Sequence, residues 1–498
     1  MGATLGASFT SSRASAEIAA RGSQHEISLA DIYDKLQLAN GWSAEERQRA
    51  LESEVRIEYE NVIPIAENLS RVRDGDIVIS DMYLHRDVIE GLLRAAGLDK
   101  NVTLFVSNNG KADGSMWRRL RKQFYILKHT GDNPHSDFLR PIRHGIPAFI
   151  TNASAETPWE RLLRCNGAPQ LSAYVREMRL RTFHERADSR AVQLSQIEGN
   201  FPMLLLSSAA LVRWCREQSV SRALMSSRDC VLWTALAEKV ARHAGSPLTV
   251  EYFLTSRVAS LKSSERFLEY AAARIKADSV VVDLSMTGVS LGGLADRLGI
   301  REVRAFVIAA HQSISTSLYG ERSGSKAKVT MEALTSEVIE EDLEAINQAL
   351  CPSIHDVHET DAGLAITYAS ENRSRAVLDA VQVQHAAFAD LLERVPHAVL
   401  AEALQLAEST RLIFLVRECA RHAGSFNTVI SRARPGAALW NDPNGVKLNL
   451  PYTKRPRLNQ FASASKRLLR PLIPSGSRLH RFGKTLGTVF KALKRAKK

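Results

Sequence analysis

Asp132 and Asp137 lie five residues apart on the glycine-led loop Gly131-Asp132-Asn133-Pro134-His135-Ser136-Asp137, directly after an apolar run. Carboxylates so placed can ligate Mg2+, a hard cation that takes carboxylate and phosphate oxygens. A second candidate lies in residues 280–291, which read as strand, polar loop and helix start. Its Asp283, Thr287, Gly288 and Ser290 fall where backbone N–H groups and hydroxyls at a helix N-terminus can hold phosphate.

Both candidates need elements that end in the right place. From Asp76 onward the pattern predicts strands over 77–79, 102–106 and 125–128, helices over 87–96 and 115–123, and a further short strand over 145–150. A second series predicts strands over 223–225, 250–254, 280–282 and 303–309, with helices over 230–243, 265–275 and 291–298. Repeated units of this length predict parallel sheets whose active residues sit at the carboxyl ends of the strands. In the second series that edge would gather Arg228, Asp229, Arg257 and Asp283. Two arginines there suit an anionic ligand through bidentate hydrogen bonds. Arg–Asp pairs that merely brace loops are the other reading.

The remaining chain is mostly helical in pattern. Residues 9–21 are alanine-rich, and Ser28-Leu29-Ala30-Asp31 and Ser43-Ala44-Glu45-Glu46 are two capping boxes ahead of helical apolar spacing. The expected organisation is a first domain over 1–155 with a helical lead-in (1–70) and an α/β core (75–155). A helical connector (156–200), a second α/β domain (201–312), a mainly helical region (313–440) and a basic tail (441–498) follow. Residues 313–328 read as an exposed polar loop, and 330–430 as amphipathic helix with a hairpin near 364–368.

Three segments in register carry a resemblance. Ser80-Asp81-Met82-Tyr83-Leu84 at a strand end, Lys111-Ala112-Asp113-Gly114 and the Gly131 loop together resemble the phosphatase-like members of the haloacid dehalogenase (HAD) superfamily. The likeness spans roughly residues 9–155 and includes Arg13, Ala16-Glu17, Ala20-Arg21 and Asp31-Ile32-Tyr33 in the lead-in. It implies a HAD-like Rossmannoid domain that handles phosphate esters with Mg2+. Ser80, Asp81, Lys111 and Asn133 would be the phosphate-binding residues, Ser80 and Lys111 the catalytic ones, and Asp132 and Asp137 the metal ligands. The physics agrees: the Ser80 hydroxyl and N–H can hydrogen-bond phosphoryl oxygens, and Lys111 offsets the charge of the transfer.

The same resemblance implies an aspartate nucleophile on a strand ahead of the lead-in, and that segment has no counterpart here, since the lead-in begins almost at Met1. Asp31-Ile32-Tyr33-Asp34-Lys35-Leu36 imitates it superficially, but the Ser28 capping box and the spacing of Leu29, Ile32 and Leu36 place Asp31 inside a helix. Two expectations stay open: a chain that begins downstream of the nucleophile, or an inactive relative that keeps the pocket. Residues 280–291 resemble the ribose-phosphate loop of type I phosphoribosyltransferases, departing at Leu284, where those enzymes carry a second acid. Ser226-Ser227-Arg228-Asp229-Cys230 and Tyr252-Phe253-Leu254-Thr255-Ser256-Arg257 resemble segments that follow HAD-like domains in proteins of bacterial surface-polysaccharide gene clusters.

Composition sets the outer limits. The 498 residues carry a formal charge of +12, yet residues 454–498 hold fourteen Lys or Arg and no acid, leaving the rest near neutral. Phe482, Leu486, Val489, Phe490 and Leu493 recur at helical spacing among lysines, a basic amphipathic pattern that could lie on an anionic membrane surface. Nucleic acid is the weaker partner, because stacking aromatics are few. The partners expected are a phosphorylated sugar or nucleotide and, through the tail, the inner face of a membrane. Five scattered cysteines and no spanning apolar stretch suit a cytoplasmic chain with reduced thiols. Cys351, His355 and His358 are spaced as if for metal but lack a fourth ligand, which argues against zinc.

Overall fold

The computed structural model describes residues 2–22, 26–261, 264–310, 326–335 and 340–425. The tail and its amphipathic pattern lie outside these residues, as does most of the polar loop expected over 313–328. The fold class is mixed α/β, built around a five-stranded parallel sheet.

The lead-in forms as its caps dictate. Ser28 and Ser43 each close a capping box, with Asp31 and Glu46 respectively, at the start of helices Leu29–Asn40 and Ala44–Asn61. β1 (Ile77–Ser80) and β2 (Thr103–Val106) then pair in parallel. Alternation sends Val78, Leu104 and Val106 to one face, against Ile32, Tyr33, Leu36 and Ile89. Ile77, Ile79 and Phe105 go to the other, against Trp117 and Leu120 of helix Ser115–Gln123. β3 (His129–Gly131) and β4 (Ala148–Ile150) form a second parallel pair.

The first α/β segment departs from expectation in two ways. The third strand is His129–Gly131 and not 125–128; Tyr125 and Leu127 are exposed there, because pairing with β4 begins only at His129. Nor do the four strands make one sheet. Among the described residues β1 and β2 pair only with each other, as do β3 and β4, so both outer edges of each pair carry no described strand.

The second sheet runs β6-β5-β7-β8-β9, all parallel, with β5 at Arg222–Ser226, β6 at Thr249–Phe253, β7 at Ser279–Met286, β8 at Glu302–Ala310 and β9 at Lys328–Thr335. Its central strands are apolar on both faces, as burial under helices requires. Val280, Val282 and Leu284 enter one core, Leu224 and Val281 the other. β9 lies where helix was expected: Lys328-Val329-Thr330-Met331 alternates with period two and finds the open edge of β8, and that pairing overrides the helical pattern. A hairpin of β10 (Ile354–Thr360) and β11 (Gly363–Tyr368) packs on the second core.

The larger core unites the connector, the second α/β segment and the C-terminal helices, from Trp159 to Ala423. Helix Phe201–Glu217 runs through it, with twelve consecutive residues from Phe201 to Val212 buried, and so is apolar or small all round.

Candidate functional site

The end of β1 is set by the lead-in. Arg13 donates to both oxygens of Glu54 at 2.9 and 3.0 Å, Tyr33 donates to Glu54 at 2.7 Å, and the Arg13 guanidinium lies 5.0 Å from the Tyr83 ring centre. The Leu29 N–H donates to the Tyr83 carbonyl at 3.0 Å. These contacts fasten the Ser80–Leu84 segment to the helices. Ser80 Oγ accepts the Met82 N–H at 3.3 Å, turning the chain so that Asp81 is exposed.

Lys111 opens on the short helix Gly110–Asp113 after β2 and is almost wholly buried. Its Nζ lies 2.7 Å from Asp137 Oδ1 and 3.7 Å from Asp81 Oδ2, so one ammonium joins the carboxyl ends of β1 and β3. Ser80, Asp81, Lys111 and Asp137 therefore meet at one edge. Asp137 is 2 % exposed. His129 Nε2 also donates to its Oδ1 at 3.0 Å, and the Asn133 N–H to its Oδ2 at 3.1 Å. Burial pushes this carboxyl up, but the hydrogen bonds from His129 and Lys111, the Lys111 charge and the Asn133 N–H outweigh it and hold Asp137 well below the carboxylate range. Gly131 is required by this approach, since a Cβ there would sit 2.4 Å from Asp137 Cγ.

The other loop residues take different places. Asn133 Oδ1 accepts the His135 and Ser136 N–H groups at 2.9 and 3.0 Å, so its side-chain oxygen caps the turn Pro134–Leu139 and is not offered to a phosphate. Asp132 is exposed. Ser136 is buried and its hydroxyl has no hydrogen-bond partner. Among the described residues no three His, Cys, Asp or Glu side chains group as a metal site. With both Asp137 oxygens engaged, the donor left for Mg2+ is Asp132, which fits the usual habit of this ion to take one carboxylate together with substrate phosphate oxygens and water. Asp31, half-buried in the first turn of its helix, accepts the Ser28 N–H at 2.7 Å and acts as a cap.

At the second sheet the chain passes from β5 to β6 on one side and returns to β7 on the other, so the crevice between β5 and β7 is a topological switch point. The residues expected there converge. Asp229 lies within electrostatic reach of Arg228 and Arg257; burial raises it and the two arginines oppose the rise. Asp283 is raised too, by burial and then by the Asp229 charge, against the Leu284 and Ser285 N–H groups and Arg257. The Leu284 N–H donates to Asp283 Oδ1 at 2.8 Å. Leu284 itself points into the main core, so an acid at this position could not reach the crevice. Gly288 adopts φ +76°, which favours glycine, and starts helix Val289–Arg297 with no side-chain cap. Thr287 is exposed and its hydroxyl accepts the Val289 N–H at 3.5 Å, while Ser290 lies in the first turn of that helix.

His129, Trp117 and Glu54 were not singled out by motif reading. The signal for His129 was present, since it leads directly into the Gly131 loop; Glu54 sits on a helix with no buried residue and gave none. A separate cleft of about 360 Å3 is lined by Arg266, Glu269, Tyr270, His358, Glu359 and Thr360, of which only His358 was named from sequence.

The first edge can hold an anion against a fixed ammonium, and the second can present two carboxylates and two guanidiniums to one ligand. No protein-family model matches the chain, and neither does any curated protein.

Proposed function

We propose that the edge formed by Ser80, Asp81 and Lys111 is a HAD-like phosphate-ester site, hydrolytic or retained as a binding pocket in an inactive relative, in a protein associated with bacterial surface-polysaccharide biosynthesis. One observation carries this reading: a buried ammonium, Lys111, is held between carboxylates that follow the carboxyl ends of β1 and β3, where a phosphoryl group can meet it. Ser80 supplies a hydroxyl beside it and Asp132 an exposed carboxylate for a Mg2+ that arrives with the phosphate. When bound, that ion would neutralise phosphoryl charge. The hydrolytic form requires that purified protein turn over a general phosphatase substrate with Mg2+ and that Asp132→Asn abolish the turnover. Activity unchanged by Asp132→Asn would sink it.

A second reading is favoured by the charged crevice at β5 and β7. There the protein is a non-catalytic module that binds a phosphorylated sugar or nucleotide and docks on the membrane through residues 454–498. This predicts no turnover, thermal stabilisation by such ligands, and salt-sensitive sedimentation with anionic liposomes that truncation at 453 removes. Ligands that leave the melting temperature unmoved would count against the module, and equal sedimentation of both forms against the docking.

A further inference from the structure

A lysine side chain has about 2 kcal/mol of rotamer entropy to lose, so an ammonium in a fixed place needs something rigid to hold it. Asp81, exposed and 3.7 Å away, is a loose partner for Lys111; Asp137 at 2.7 Å is the tight one. Asp137 is in turn held by His129 Nε2 at 3.0 Å. The His129 ring stands edge-on to Trp117, centroids 4.7 Å apart at 65°, and Trp117 Nε1–H donates back to the Lys111 carbonyl at 3.2 Å. The circuit Lys111, Asp137, His129, Trp117, Lys111 closes, fixing the lysine at both its backbone and its tip. Trp117 is fully buried, so the circuit is anchored in the core of the first α/β segment.

We propose that His129 and Trp117 are positioning residues that fix the Lys111 ammonium for an incoming phosphoryl group, and that Asp137 anchors this ammonium and is not a ligand of a divalent cation. The inference rests on the phosphate-site reading above. Neither positioning residue touches the phosphoryl group; both act through Asp137 and Lys111. The Nε2–H tautomer of His129 is assigned by its carboxylate partner.

Competitive acetylation of the intact chain, read by mass spectrometry, tests the positioning role and the phosphate-site reading on which it rests. The internal standard is Lys239, whose ammonium donates to the Leu392 carbonyl in the other core. In the unaltered protein Lys111 should react slowly, and inorganic phosphate should slow it further. His129→Leu should raise the Lys111 rate relative to Lys239 about tenfold, the scale of one hydrogen bond to a charged group, and abolish protection by phosphate. His129→Gln, which keeps a donor near the Nε2 position, should restore most of both. Trp117→Phe, which keeps a ring and loses the N–H, should raise the rate by roughly threefold. Equal Lys111 rates with and without His129→Leu, or Leu and Gln variants that behave alike, would overturn the positioning role. If His129→Leu frees Lys111 but phosphate never protects the unaltered protein, the phosphate-site reading fails instead.

Discussion

Asn200 and Asn347, 147 positions apart and both fully buried, exchange hydrogen bonds in both directions: Asn200 Nδ2 donates to Asn347 Oδ1 at 2.8 Å and Asn347 Nδ2 donates to Asn200 Oδ1 at 2.9 Å. Gln196 extends the pair, accepting from Asn200 at 2.8 Å and donating to the Ile346 carbonyl at 2.8 Å, and Gln384 donates to the Ala345 carbonyl at 3.0 Å. A ladder of amides thus ties the π-helical stretch Ser195–Asn200 to the segment that follows β9 and to helix Arg375–Arg394. In an apolar core unsatisfied groups of this kind are costly, and of the four amides only Gln384 keeps an unpaired buried oxygen, Oε1.

Asn347→Ala should therefore cost about 2–4 kcal/mol, because it orphans the Asn200 carbonyl, leaves the Asn200 amide with Gln196 as its remaining close partner and opens a small void. Asn200→Leu with Asn347→Leu together should cost less than the sum of the singles, since neither asparagine then leaves the other unpaired, although Gln196 Oε1 and the Leu343 carbonyl each lose a donor. Urea unfolding midpoints measure this; single variants within about 0.5 kcal/mol of the parent would show the ladder to be idle.

Gly199 lies in the same stretch, where a Cβ would fall 2.5 Å from the Ala423 Cα of the last described helix, Arg411–Ser425. Gly199→Ala must push backbone apart and should cost roughly 2 kcal/mol or more. Gly245→Ala, at φ +61° with nothing within 4 Å of the added Cβ, should cost only the local strain of about 1 kcal/mol. The ordering of the two melting temperatures is the test.

Asp137→Asn should destabilise by about 3–5 kcal/mol at neutral pH, because the buried Lys111 charge loses its partner. The pH dependence has a definite sign. The native carboxyl is held below its unfolded value of about 4, so its contribution is complete above pH 4 and fades as pH falls from there toward the native value. The difference in unfolding free energy between parent and variant should accordingly shrink below pH 4. A constant difference down to pH 2 would contradict the assignment.

Asp283→Asn should do the reverse and raise the melting temperature at pH 8 by about 2 °C or more. Burial and the Asp229 charge raise the native Asp283 above its unfolded value, so the native state holds its proton more tightly. That contribution is whole below about pH 4 and is lost as pH rises through the native value. The stabilising effect of Asn should thus vanish near pH 4.

Much of the architecture was legible locally. Ser28 and Ser43 announced their helices because a cap and its reciprocal acid act within three residues, and the alternation of Ile77, Val78 and Ile79 marked a two-faced strand. The convergence of Arg228, Asp229, Arg257 and Asp283 followed from parallel strands, since the first three come after the carboxyl ends of β5 and β6 and Asp283 lies on β7 just past its last pairing with β5. Partner choice was not legible. That 328–335 is strand depended on the free edge of β8, and that Asn133 caps a turn while Asp137 swings inward depended on Gly131 leaving room. The pairing of Lys111 with Asp137 and the support of His129 and Trp117 join segments whose spacing carries no periodic signal. Propensity and capping act over one turn of chain, so residue order alone determined where the capped helices begin and which segments could be strand; which strand edge is filled and which buried charge meets which counter-charge are decided by pairing and desolvation, and those exist only once the segments have packed.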